Sequence, residues 1–184
     1  HLATQIPETK NEIEYIDSVL SHLEIASGDD IDEIREELRG QGYLKKQRGK
    51  QKKKKKNTGP EKYYSTDGTL IYVGKNNSQN DELTMRTANK TDWWLHTKDI
   101  PGSHVLIRSD NPSEQTLEEA AILAAYNSKY RMSSSVPVGY TQINNVRKPN
   151  GAKPGYVIYD NQQTLFVTPD KKIVRQLKEN TSKS

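Results

Sequence analysis

Four ionisable side chains crowd the stretch TDWWLHTKDIPGSHV, residues 91–105: Asp92, His96, Asp99 and His104. Both tryptophans of the chain, Trp93 and Trp94, and two of its four histidines lie in the same run. Two imidazoles and a carboxylate form a zinc donor set. The spacing of His96 and His104 matches no metal motif, however, and His22 belongs to a distant helical segment. A metal-dependent hydrolase using His96 and His104 is therefore only a remote alternative. Ser103 cannot serve His104 in a triad, because the base must approach its nucleophile from elsewhere in space. No Walker loop, dinucleotide fingerprint or nucleophile elbow occurs, and the absence of Cys excludes disulfides and thiolate metal sites. The residues read as a binding module and not an enzyme, with no catalytic residue, metal or cofactor expected.

Binding chemistry is better represented. GKNNSQND, residues 74–81, is a strand-to-helix turn carrying Lys75, Asn76, Asn77, Gln79 and Asn80. Helix N-terminal amides beside a lysine can hold an anion, and the carboxamides can donate to phosphate or base edges. Asn is also common in turns and caps for purely local reasons. Around Pro101-Gly102, the side chains of Lys98, Ser103 and His104 are candidate phosphate donors. A third basic loop, NNVRKPNGAKPG, supplies Arg147, Lys148 and Lys153. Strand alternation sends Trp94 to the side of Asp92 and His96, and Trp93 to the side of Leu95. One ring is then core and the other either stacks a base or is core too; Trp94 is the stacking candidate.

These turns need elements to hold them. GTLIYVG (residues 68–74), DWWLHT, SHVLIRS, PVGYTQINNV, GYVIYD and TLFVTP read as strands, with Asp160-Asn161-Gln162 as a hairpin turn between the last two. Asn77 or Ser78 can cap a short helix that follows residue 76. NPSEQTLEEAAILAAYNSKY is the strongest helix, with Thr116 and Glu119 as a capping box and four alanines for close packing. Further upstream, Ile13, Ile16, Leu20 and Leu23 have coiled-coil spacing, and Ile31, Ile34 and Leu38 mark a second helix after Ser27-Gly28-Asp29.

Charge divides the chain into three. Residues 1–44 carry 3 Lys and Arg against 11 Asp and Glu, and residues 45–62 carry 10 against 1. The remaining 63–184 are nearly balanced, at 15 against 12. Such a lysine run is a tether or a polyanion-binding segment. The expected organisation is an acidic helical segment (1–44), a basic linker (45–62) and an α/β domain (63–184). Mean hydropathy is −0.97, and no apolar run approaches the length of a membrane span, so no membrane insertion is expected. The chain opens on His1, not Met, and is read as a piece of a longer protein. The fold class expected is α+β: a mixed sheet with one main packing helix and a short N-terminal helix, preceded by a short coiled-coil segment.

From about residue 63 to 167, the motifs GKNNSQND, HTKDIPGSHV and KPNGAKPG closely resemble the NFACT-R domain of bacterial fibronectin-binding-protein-A-like NFACT proteins. The resemblance implies a factor that binds tRNA and obstructed large ribosomal subunits and supports alanine tailing of stalled chains. It also implies an anchorless adhesin that binds host fibronectin or fibrinogen. Location would be cytoplasmic, with the cell surface as a second site. The acidic helices resemble the end of the family's coiled coil, whose partner helix would lie elsewhere in the full protein. No catalytic residue is carried over.

Overall fold

The computed structural model describes residues 8–45 and 59–181; most of the lysine run lies outside them. The elements are α1 (Glu8–Ile25), α2 (Asp29–Gly40), β1 (Glu61–Tyr64), β2 (Leu70–Val73), α3 (Asn77–Glu82), β3 (Trp93–Thr97), β4 (Val105–Ile107), α4 (Glu114–Tyr126), β5 (Val136–Gln142), β6 (Val146–Arg147), β7 (Ile158–Tyr159), β8 (Gln163–Val167) and α5 (Lys171–Glu179). The fold is α+β. Six strands form one sheet in the order β1-β2-β4-β3-β5-β8, and β6 and β7 make a separate ribbon. Every pairing is antiparallel, so the expected mixed sheet is corrected.

The main core lies on one face of the sheet. Ile71, Val73, Leu95, Val105, Ile107 and Val138 meet Ala120, Ala121, Leu123, Ala124 and Ala125 of α4. The alanines carry little side-chain bulk, so the helix lies close to the sheet. Helix α5, not expected from the sequence, adds Val174 and Leu177 to this core. The opposite face holds a smaller cluster of Trp94, Leu106, Leu83, Ile143 and Val146. Strand β1 opens at Glu61, two residues before the boundary read from charge.

Several local expectations change. Asn76, not Asn77 or Ser78, caps α3, its side chain accepting from the Gln79 amide at 2.8 Å. Ser113 caps α4, and Glu119 instead reaches across to the Thr66 amide and hydroxyl. Strands β7 and β8 are not a hairpin: β7 pairs with β6 and β8 with β5. KPNGAKPG lies in the arm that joins β6 to β7, and Val157 and Tyr159 at its end pack against the second core.

Helices α1 and α2 dock on the domain by a face that coiled-coil spacing does not select. Ile13 and Leu20 are 64% and 55% exposed, whereas Tyr15, Val19 and Ile34 are buried. The buried residues of α1 are Asn11, Tyr15, Val19, Ser21 and His22, with Ser18 part-buried beside them, so the docked face is largely polar and aromatic. Helix α2 ends as a Schellman turn, with Gly42 at φ 83° and the Tyr43 amide bonded to the Leu38 carbonyl.

Candidate RNA-binding site

Acidic side chains of α2 engage much of the amide-rich turn. Lys75 Nζ lies 2.8 Å from Asp30 Oδ1. Asn76 Nδ2 and Gln79 Nε2 both donate to Glu33, at 3.0 and 2.6 Å. The Ser78 amide donates to Glu37 at 2.8 Å, and Asn77 Nδ2 to Ser18 Oγ at 2.8 Å. Carboxylates of α2 thus occupy the donors foreseen for an anion at this turn. Glu37 is held from its other oxygen by the Tyr15 hydroxyl at 2.6 Å. Burial, then that bond to Glu37, pushes the Tyr15 phenol well above its ordinary pKa, so the hydroxyl stays a donor.

The remaining candidates separate by access. Asn80, Ser103 and His104 are buried, at 0%, 3% and 1% exposure, and the expectation that they meet phosphate is corrected by that burial. Asn80 Oδ1 instead accepts from the His104 amide at 3.0 Å, and the Ser103 amide bonds to the Asn127 carbonyl. Lys148 is drawn inward to Asp81 and to the Lys153 and Tyr156 carbonyls. Lys98 and Lys153 are half-buried, with Lys153 Nζ 5.5 Å from the Tyr43 ring centroid. Arg147 stays 70% exposed beside Asp160.

His104 is the joint of the site. Its Nε2 lies 2.9 Å from the Gly155 carbonyl, which can only accept, so Nε2 carries the proton. Nδ1 then accepts from the Thr84 hydroxyl at 2.7 Å. Burial, helped by neighbouring His96, holds His104 well below the ordinary imidazole pKa, and burial lowers His96 also. The two rings do meet, 5.5 Å apart and edge to face. Yet both nitrogens of His104 are spent on protein partners, and no group of three metal-ligating side chains occurs among the described residues. As it stands in this structure, His104 has no free ring nitrogen to offer a metal.

Trp94 is not an open stacking platform. It is 1% exposed, with His96 stacked 5.7 Å away at 8° and Tyr159 at 4.7 Å. Trp93, the ring on the main-core side, is half-buried against Tyr140 and donates Nε1–H to the Asp110 carbonyl.

The turn after β3, the arm loop and α1 enclose a cleft of about 430 Å³. Asn77, Trp94, His96, His104 and Lys153 line it, so one cavity gathers residues of all three sequence motifs. Lys75 and Ser103 line a separate hollow beside His22. The sequence reading missed the cleft's α1 wall, Asn11, Tyr15 and Ser18. Their 4-3 spacing on one helical face was the available signal.

Residues 61–161 match the family model for the NFACT protein RNA binding domain, and residues 1–57 match that for the NFACT N-terminal and middle domains. The Rqc2 homolog RqcH of Bacillus subtilis (strain 168) is 58% identical over 176 residues, which are 95% of this chain and 31% of that protein. The Rqc2 homolog RqcH of Streptococcus suis (strain 05ZYH33) is 50% identical over 181 residues, covering 97% and 32%. The chain thus spans about a third of the length of these curated relatives. A solved structure, the C-terminal of the fibronectin/fibrinogen-binding protein from Streptococcus suis, aligns with a TM-score of 0.87 at 49% identity, covering 92% of this chain and 69% of that one. The chain belongs to the NFACT family, with residues 61–161 matching its RNA binding domain and residues 1–57 its N-terminal and middle domains.

Proposed function

We propose that this chain is the RNA-binding module of a ribosome quality control factor, contacting tRNA and the large ribosomal subunit while stalled chains receive alanine. The observation that carries the reading is the NFACT RNA-binding match over 61–161 together with relatives named Rqc2 homolog RqcH. Cationic side chains supply affinity: Lys98, Lys153 and Arg147, with Lys75 once α2 releases it, and the lysine run that precedes β1 in the sequence. Its role is binding and positioning, not catalysis, and it works in the cytoplasm. No described helix is long and apolar enough to cross a membrane.

The test is tRNA binding by the 184-residue chain at stepped salt, with cosedimentation on large subunits that carry peptidyl-tRNA. Binding should weaken steeply as salt rises. Absence of binding to both at low salt overturns the reading.

One observation favours a second reading, fibronectin or fibrinogen binding: the Streptococcus suis protein whose solved C-terminal part aligns with this chain is named for it. Strand β8 ends the sheet and carries Phe166 at 68% exposure, a surface suited to strand addition. Such a contact would be insensitive to Lys75→Ala with Asn76→Ala and to moderate salt, whereas RNA binding would respond to salt.

A further inference from the structure

Six buried side-chain polar atoms lack a hydrogen-bond partner among the described residues, and two of them, one donor and one acceptor, belong to residues on the walls of one cleft. Trp94 is 1% exposed and its Nε1–H has no acceptor. Asn11 of α1 is 8% exposed and its Oδ1 has no donor. Both line the 430 Å³ cavity between α1 and the arm. A buried polar group left unpaired costs about 1–3 kcal/mol. An unpaired donor and an unpaired acceptor on residues of one cavity wall are therefore groups that a ligand offering the reverse pair would satisfy once it seats against them.

The other walls specify shape and charge. His96, Trp94 and Tyr159 are flat rings in mutual contact, and His96 and Tyr159 are only half-buried. Burial keeps both cleft imidazoles neutral at pH 7. The rim charges cancel: Glu14 pairs with Lys10 at 4.0 Å, Asp17 with Lys129 at 3.2 Å, and Lys153 balances Asp99 in the lining. A phosphate would find no net positive field here. A planar, uncharged heterocycle suits these walls, and the volume admits one nucleoside but not a helix of RNA.

We propose that the cleft receives a single nucleobase, turned out from an unpaired RNA segment. The base lies against the His96 and Tyr159 rings and pairs its donor–acceptor edge with Asn11 Oδ1 and Trp94 Nε1, while its phosphates stay outside. The inference rests on the RNA-binding reading and adds to it a base-accepting pocket shared by the acidic helix and the sheet domain. Such pockets are how single-stranded RNA is read.

The test uses the indole N–H signals of the 15N-labelled chain. There are two: Trp93, whose N–H is bonded to the Asp110 carbonyl, is the internal control for Trp94, and Trp93→Phe assigns them. The chain is titrated separately with the four ribonucleosides, ribose 5-phosphate and N-acetylargininamide at millimolar concentration. A saturable shift of the Trp94 signal with at least one nucleoside, and a still Trp93 signal, is expected. Asn11→Ala should weaken that nucleoside about tenfold. A Trp94 signal that no nucleoside moves overturns the proposal. So does a response to ribose 5-phosphate alone, which marks a phosphate site, or to N-acetylargininamide alone, which marks a peptide site. If tRNA binds yet nucleosides leave Trp94 unmoved, the pocket fails and the RNA reading stands. If nucleosides move Trp94 and tRNA does not bind, the RNA reading fails and the pocket stands.

Discussion

Lys75 Nζ and Asp30 Oδ1 stand 2.8 Å apart, joining the amide-rich turn of the sheet domain to the acidic helix α2. Their side chains are only 17% and 21% exposed, so water screens the pair less than an ordinary surface ion pair. Glu33 reinforces it through Asn76 and Gln79. Helix α2 therefore competes with any phosphate for the same donors. Asp30→Ala with Glu33→Ala is expected to raise tRNA affinity severalfold at low salt and to steepen its salt dependence by about one counterion. Unchanged affinity, measured by fluorescence anisotropy, would assign those side chains to helix docking alone.

Glu37 is the anchor of the docked helices, and its removal is expected to be more damaging than that of its partner. It accepts from the Tyr15 hydroxyl and from the Ser78 amide. Tyr15→Phe deletes one bond and leaves a carboxylate still paired to Ser78, a loss of about 1 kcal/mol. Glu37→Ala strands both donors, a loss of about 2–4 kcal/mol. Denaturant titration ranks the two variants. Hydrogen exchange should show the Ser78 amide opening in Glu37→Ala and staying protected in Tyr15→Phe.

Acid should weaken the same packing through histidine. Burial, with a smaller contribution from His96, lowers His22 from 6.5 to about 4. The folded state thus refuses a proton that the unfolded chain accepts. Stability is full above pH 6.5, falls as pH drops towards 4, and levels off below; the His22 share is roughly 3 kcal/mol. His96 and His104, also lowered by burial, act in the same direction. Asp92, raised chiefly by burial, opposes them at the acid end. Thermal midpoints between pH 7.5 and 5 should fall more for the native chain than for His22→Gln. Parallel curves would show that His22 is not the titrating group.

The alternating apolar strands and the alanine-rich α4 were legible because their partners repeat at the period of the element itself. Trp93 and Trp94 parted to opposite faces for the same reason. The docking of α1 was not legible in this way. Ile13 and Leu20 have the stronger hydrophobic spacing, yet Asn11, Tyr15 and His22 are the buried residues, and Tyr15 and the part-buried Ser18 meet polar partners on α2 and the sheet domain that no periodicity records. The site was half legible. GKNNSQND, HTKDIPGSHV and KPNGAKPG were visible as motifs, but several of their polar groups serve the fold: Asn80 bonds the His104 amide, His104 the Gly155 carbonyl, and Lys148 the arm's own carbonyls. Sequence reveals a donor without revealing whether protein already holds it.

Gly155 offers the sharpest separation of arm from domain. Its φ is +83°, a conformation that L side chains rarely adopt, and an added Cβ would collide with the Asn77 carboxamide, whose Cγ would lie 2.7 Å away. The same residue gives its carbonyl to His104 and its amide to Asp81. Gly155→Ala is therefore expected to lift the arm from α3, at a stability loss of about 1–3 kcal/mol. The neighbouring Gly151 also has positive φ but nothing within 4 Å of an added Cβ. Gly151→Ala shares the backbone strain and lacks the collision, so it isolates the packing effect. If the cleft binds RNA, Gly155→Ala should lose most of its affinity while the sheet's amide spectrum is preserved, and Gly151→Ala should lose little. Equal losses in the two variants would trace the effect to backbone strain and not to the seat of Gly155 against Asn77.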